Sequence, residues 1–133
     1  MTGAASICAR AIVAGALMLA TVVLMVATVS TSKAAGALAV GRCGAFGQAF
    51  DYVNIGQARA QALSQCRSSD CRVVVDLTKA CAALAVDIVD PCKANGWGRS
   101  ARLAGAQNGA LRACYKDGGT DCVIRTFMCD ARG

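Results

Sequence analysis

The chain has 133 residues, no histidine and a formal net charge of +6, from 14 basic and 8 acidic residues. Because there is no histidine, Ser-His and Cys-His catalysis and metal binding through histidine are excluded. All eight acids are aspartates. The length allows one domain at most.

The N-terminal segment, residues 1–34, is typical of an export signal. Arg10 supplies a positive n-region, residues 11–30 form an uncharged apolar run, and Ser32-Lys33-Ala34 places small residues at a cleavage site. The run could also just span a bilayer, so an uncleaved N-terminal anchor is the alternative. Without Arg10 and Lys33, residues 35–133 carry 12 basic and 8 acidic residues. We expect them to form a single secreted or periplasmic domain.

The predicted elements begin with a strand in the apolar segment GALAV at 36–40. Asn54 is then a suitable N-cap for a helix whose apolar or small side chains recur on one face. From residue 71 the period changes to two, which predicts a strand with one buried side. The helix face comprises Ile55, Ala58, Ala62, Leu63 and Cys66, and the buried side of the strand comprises Cys71, Val73, Val75 and Leu77.

The same order of elements occurs a second time. AALAV at 82–86 repeats the first strand, a helical face from Leu103 to Cys114 repeats the helix, and a strand from Cys122 repeats the last element. An aromatic-glycine pair follows the first strand of each copy, Phe46-Gly47 and Trp97-Gly98, in what we interpret as equivalent turns. The copies, about 36–81 and 82–129, therefore predict two pseudo-symmetric β-β-α-β repeats in one α+β domain of about six strands and two helices. Two copies together can bury an apolar face that one alone cannot.

Eight of the nine cysteines follow the leader, and an even number in a short exported chain indicates a disulfide framework. A zinc site is the competing interpretation, but this part of the chain has no histidine and no Cys-x-x-Cys spacing. Among the pairings that survive exchange of the two copies, we favour two disulfide bridges between the copies and two local disulfides, called clamps, that each join a helix end to the next strand. The favoured bridges are Cys43 with Cys92 and Cys81 with Cys129, and the favoured clamps are Cys66 with Cys71 and Cys114 with Cys122.

The motifs GALAV, AQALSQC at 60–66, CRVVV at 71–75 and CAALAV at 81–86, with NGWG at 95–98 and a terminal FMC, occur in a familiar order. In these the chain resembles the bacterial secreted domain-of-unknown-function family 4189 over nearly all of the domain. Departures from the family pattern are Ala82 for a glycine, Phe127 for a tryptophan, and an additional bridge between Cys43 and Cys92. The resemblance implies an exported small α+β domain, associated in some pathogens with the host interface, and it supplies no catalytic residue.

Candidate functional groups are few. Asp70 and Asp121 occupy equivalent Asp-Cys positions and form a carboxylate pair if they meet across a pseudo-axis; the alternative is that each accepts hydrogen bonds within its own turn. Cys66 and Cys114 lie at helix C-terminal ends, where the helix dipole disfavours a reactive thiolate. Candidate partner contacts are Trp97, Phe46, Arg99 and Arg102, although either aromatic side chain is also suited to filling the core.

These observations predict a non-catalytic exported protein without a cofactor or metal, which acts by binding an unknown protein or envelope component. One alternative is an inhibitor of an extracytoplasmic hydrolase, with Trp97 or a basic loop entering the target's cleft. The other is an enzyme with an Asp-centred mechanism. The basic residues are dispersed and not interleaved with aromatic ones, which argues against nucleic acid as the partner. Membrane contact is expected only through an uncleaved N-terminal segment.

Overall fold

Within residues 34–130, six strands and two α-helices follow one another in the order β-β-α-β, twice. The computed structural model describes residues 34–130, so the predicted leader lies, apart from Ala34, outside the described residues. The elements are β1 (Ala35–Val40), β2 (Phe46–Tyr52), α1 (Ile55–Gln65), β3 (Arg72–Leu77), β4 (Cys81–Asp87), β5 (Asn95–Ser100), α2 (Leu103–Lys116) and β6 (Cys122–Cys129). The predicted α+β fold of two β-β-α-β repeats is confirmed.

Each copy forms its own three-stranded antiparallel sheet, and the two sheets pack face to face. The strand orders are β2-β1-β3 in the first sheet and β5-β4-β6 in the second. A helix covers the outer face of each sheet, which gives four layers in the order α1, first sheet, second sheet, α2. At one edge of the two packed sheets β2 lies against β6, and at the other edge β5 lies against β3.

The central strands β1 and β4 are buried along their whole length. Their larger side chains, Leu38 and Val40 in β1 and Leu84 and Val86 in β4, fill the layer between the sheets. The alternate positions are mostly alanine and face the helices. Small side chains here let each helix approach its sheet closely, because no bulk separates them.

The predicted helical faces are largely confirmed. Ala58, Ala62 and Cys66 of the first copy are buried, while Leu63 is 41% exposed at the margin of the face. The Asn54 side chain caps α1 by accepting a hydrogen bond from the Gln57 N–H at 2.9 Å. None of the helices in residues 34–130 is long and apolar enough to cross a membrane.

Glycines in the edge strands bring helix and sheet into backbone contact. A Cβ at Gly47 would lie 1.9 Å from the Ala62 carbonyl oxygen, and one at Gly96 would lie 2.2 Å from the Cys114 nitrogen. Gly47 lies opposite Ala39 and Gly96 opposite Ala85, so these two glycines are equivalent. The expected equivalence of Phe46-Gly47 with Trp97-Gly98 was wrong by two residues, and both aromatic residues lie in strands rather than in turns.

A bulge interrupts β3 at Val74. The pairing of β1 with β3 moves from Leu38 with Val75 to Ala39 with Val73, so Val74 has no partner of its own. As a result Cys71 and Val73 face α1, whereas Val75 and Leu77 face the second sheet. The predicted single buried side was therefore wrong. β6 has the same irregularity at Arg125.

Four disulfides connect these elements. Cys43 is bonded to Cys92 and Cys81 to Cys129, which links the two copies. Cys66 is bonded to Cys71 and Cys114 to Cys122, which joins each helix end to the next strand. These are the pairs that the duplication favoured, and they indicate an oxidising environment.

Candidate functional site

The edge between β5 and β3 contains an open cleft of about 580 Å³. Its walls come from the start of β5, the first residue of β3 and the last turn of α2: Asn95, Gly96, Trp97, Arg72, Ala113, Lys116 and Asp117. A smaller cavity of about 140 Å³ shares Arg72, Asn95 and Trp97 with it and extends to Arg42 and Asp70. We call these two cavities together the Trp97 cleft.

Trp97 lies where both copies contribute to the cleft. Gly96 and Gly98 face α2, so the side chain between them points to the other side of β5, opposite Leu84 of the central strand. The Arg72 guanidinium of the first copy lies over the indole ring, 6.0 Å from its centroid. Trp97 as a whole is 36% exposed, so an aromatic residue next to a cation is accessible to a ligand.

Some charged side chains of the Trp97 cleft already have a partner, and others form no ion pair. Arg42 pairs with Asp70 at 3.3 Å, and the Asp117 carboxylate accepts a hydrogen bond from the Asn95 N–H at 3.1 Å. Within residues 34–130 neither Arg72 nor Lys116 forms an ion pair. The cleft therefore presents two cations whose charge is available to a ligand.

The pseudo-symmetric edge between β2 and β6 has different side chains. The strand registers make Gln48 equivalent to Trp97, Phe46 to Asn95 and Val123 to Arg72. Gln48 is tied to the opposite sheet by a hydrogen bond of 2.8 Å with the Thr126 hydroxyl. The two copies share their scaffold and differ at this position.

The other predicted partner contacts have separate locations. Phe46 is half-buried against the core between the sheets. The Arg99 guanidinium donates to the Asp76 carbonyl oxygen at 3.1 Å and so links the two sheets. Arg102 is exposed at the N-terminus of α2. Of the four predicted residues, only Trp97 lines the cleft.

Asp70 and Asp121 have different surroundings. The Ser68 hydroxyl, followed by the Arg42 N–H, holds the pKa of the Asp70 carboxyl below its usual range. The Ser68 hydroxyl belongs to the turn of Asp70, as predicted, whereas Arg42 belongs to the segment between β1 and β2. At Asp121 the main-chain N–H donates to Asp87 at 3.3 Å. The carboxylate that organises this part of the second copy is thus Asp87, which sequence reasoning did not identify.

Asp87 is fully buried at the end of β4 and holds two loops together. One carboxylate oxygen accepts from the N–H groups of Val89 and Asp90, and the other accepts from the N–H groups of Thr120 and Asp121 and from the Thr120 hydroxyl. These hydrogen bonds, led by that from Thr120, hold the pKa of Asp87 far below its usual range. The available signal was a single acid at the end of an otherwise apolar strand.

The loop after Asp87, residues 88–93, is held by a hydrogen bond and a disulfide and exposes two apolar side chains at its tip. Ile88 is 58% and Val89 78% exposed. The Asp90 carboxylate accepts from the Cys92 N–H at 2.9 Å, and the disulfide to Cys43 holds the end of the loop. The loop thus presents two branched side chains from a backbone that is fixed at both ends.

Comparison with known proteins agrees with this architecture. The model of a family described as Domain of unknown function (DUF4189) matches residues 35–129, which includes both copies and all eight paired cysteines. No curated protein and no solved structure matches the chain. The chain belongs to the domain-of-unknown-function family DUF4189.

Proposed function

We propose that this is an exported, non-catalytic binding protein whose partner occupies the Trp97 cleft. The observation that carries the proposal is the difference between the two pseudo-symmetric edges. At the edge between β2 and β6, the Gln48 side chain is hydrogen-bonded to the Thr126 hydroxyl. At the edge between β5 and β3, an open cleft contains a partly exposed tryptophan next to an arginine. Aromatic and arginine side chains are the residues that most often dominate binding energy at interfaces.

The remaining chemistry supports binding rather than catalysis. The chain has no histidine, and its most strongly perturbed carboxyl group, Asp87, is buried and engaged by five donors. Asp70 is occupied by Ser68 and Arg42. A general acid or base needs a carboxyl group that can reach a substrate and exchange a proton with it. The four disulfides are suited to an extracytoplasmic location.

The test is saturable binding of the labelled, oxidised protein to envelope fragments or host-cell extract. Trp97→Ala should reduce the bound fraction at least tenfold, because it removes the central contact of the cleft. Phe127→Ala is the matched control: it deletes another exposed aromatic ring, 53% exposed, that does not line the cleft. Equal binding of wild-type protein and Trp97→Ala would refute the proposal.

The second candidate function is inhibition of an extracytoplasmic hydrolase, and the loop 88–93 favours it. A preorganised loop binds with little loss of conformational entropy, and Ile88 and Val89 are exposed at its tip. Trp97, by contrast, lies in a strand. Val89→Asp should abolish inhibition of a secreted protease or muramidase, whereas Trp97→Ala should leave it intact. The absence of inhibition across such a panel, or inhibition unaffected by Val89→Asp, would rule out this role for the loop.

A further inference from the structure

The outer edge of β5 has main-chain groups that point away from β4. The Asp87 N–H donates to the Ala94 carbonyl oxygen, and in an antiparallel ladder such hydrogen-bonded pairs alternate along the strands. The register continues this pattern at Ala85 with Gly96 and at Ala83 with Gly98. The amide and carbonyl groups of Asn95, Trp97 and Arg99 therefore face outward. The hydrogen bond from the Asn95 N–H to Asp117, which lies outside the sheet, agrees with this direction.

These outward groups run alongside the Trp97 cleft. Asn95 and Trp97 line both of its cavities, so the open edge, the indole ring and the two unpaired cations form one surface. An unpaired strand edge is a template for another strand. Lys116 and Arg72, neither paired with an acid within residues 34–130, supply positive charge beside it.

We propose that the Trp97 cleft binds an extended acidic peptide segment, which adds to the second sheet as a strand along β5. Main-chain hydrogen bonds to Trp97 and Arg99 hold its backbone. Lys116 lies on the α2 side of the sheet and Arg72 on the side of Trp97, so carboxylates on one face of the added strand reach Lys116 and those on the other face reach Arg72. The inference rests on the proposed function, because it names the ligand of the same site. β2 is also an edge strand, but there Val123 occupies the position equivalent to Arg72. We therefore expect the acidic peptide to bind at β5, where the positive charge lies.

Trp97 is the single tryptophan of the chain, and its fluorescence reports binding at the cleft directly. The probe is an acetylated, amidated hexapeptide of glutamate, which presents carboxylates on both faces of a strand, titrated into the full oxidised protein. We expect a saturable change in emission, at least tenfold weaker binding of the same peptide with glutamine for glutamate, and at least fivefold weaker binding to Lys116→Gln. Arg112→Gln is the matched control, because it removes an exposed charge of the same helix outside the cleft.

Strand addition is tested by methylating main-chain nitrogens of the peptide. N-methyl groups at the odd or at the even positions block the hydrogen bonds of only one side of a strand. Either of these peptides should keep binding, because it can present its unmethylated side to β5, whereas a peptide methylated at every position should lose binding. Equally tight binding of the fully methylated and the unmethylated peptide, or no preference for glutamate, would overturn the inference.

The failure of this inference is distinguishable from failure of the proposed function. If acidic peptides do not bind but an oligogalacturonate shifts the Trp97 emission, the cleft is a binding site for acidic saccharide and the peptide inference is wrong. If no probe binds while Trp97→Ala still abolishes binding to envelope or host extract, the inference is again wrong and the proposed function stands. If no probe binds and Trp97→Ala also leaves binding to envelope or host extract unchanged, both the inference and the proposed function are wrong.

Discussion

Gly47→Ala tests whether helix and sheet are in backbone contact. The added carbon would lie 1.9 Å from the Ala62 carbonyl oxygen and 2.7 Å from the Cys66 nitrogen. Carbon atoms in contact normally lie about 3.5–4.0 Å apart, so α1 has to move outward by roughly 1–2 Å. That movement would loosen the packing of Ala58 and Ala62, both fully buried against the first sheet.

Overpacking of a core costs about 1–3 kcal/mol of unfolding free energy. We expect the upper end, about 3 kcal/mol, because the obstacle is helix backbone rather than a side chain that can rotate away. Gly56→Ala is the matched control: the same substitution in the first turn of α1 has only the Asn54 side-chain oxygen nearby, at 3.4 Å. It should stabilise the helix by about 0.5–1 kcal/mol.

Urea unfolding of the oxidised protein, followed by circular dichroism at 222 nm, measures both effects. We expect the two substitutions to change the unfolding free energy in opposite directions, with a difference of about 4 kcal/mol between them. Unfolding free energies within 0.5 kcal/mol of each other would refute the close approach of α1 to β2.

Two further predictions concern the bridges and the buried acid. Removing the exposed bridge with Cys43→Ser and Cys92→Ser should cost about 4 kcal/mol in urea unfolding, because the bridge closes a loop with a sequence separation of 49; a loss below 1 kcal/mol would contradict this. Because the pKa of Asp87 is depressed in the folded state, its stabilisation is fully present above the unfolded-state pKa of about 3.9 and is lost as the pH falls below it. Asp87→Asn should therefore destabilise the protein at pH 7 and flatten its loss of stability between about pH 4 and pH 2. Parallel curves of unfolding free energy against pH for wild type and Asp87→Asn would disprove this role.

The duplication made much of the fold predictable from the sequence. A repeated helical face and a repeated set of cysteine positions identified both helices and favoured one disulfide pattern, because a second copy tests every assignment made in the first. The buried strands β1 and β4 were recognisable as short apolar runs between turn residues.

The incorrect predictions concern segments whose sequence pattern fits two different local structures. The run of valines in β3 continues a two-residue period through Val74, and nothing in it marks the bulge that reverses its faces. Gly96 and Gly98 suggested a turn around Trp97, but glycine there is needed because the backbone of α2 lies against the strand. Asp87 gave little signal in the sequence, because its role depends on donors from a loop more than thirty residues away.

We propose that the partner binds at the edge between β5 and β3 and not at the pseudo-symmetric edge between β2 and β6. Photo-crosslinking from single positions measures this directly. A photoreactive side chain at Ala113, in the last turn of α2 beside the cleft, is compared with one at Arg125, an exposed position of β6 at the other edge. With envelope or host extract, we expect a discrete adduct from position 113 that excess unlabelled protein competes away, and none from position 125. An adduct of equal yield from both positions, or from position 125 alone, would contradict it.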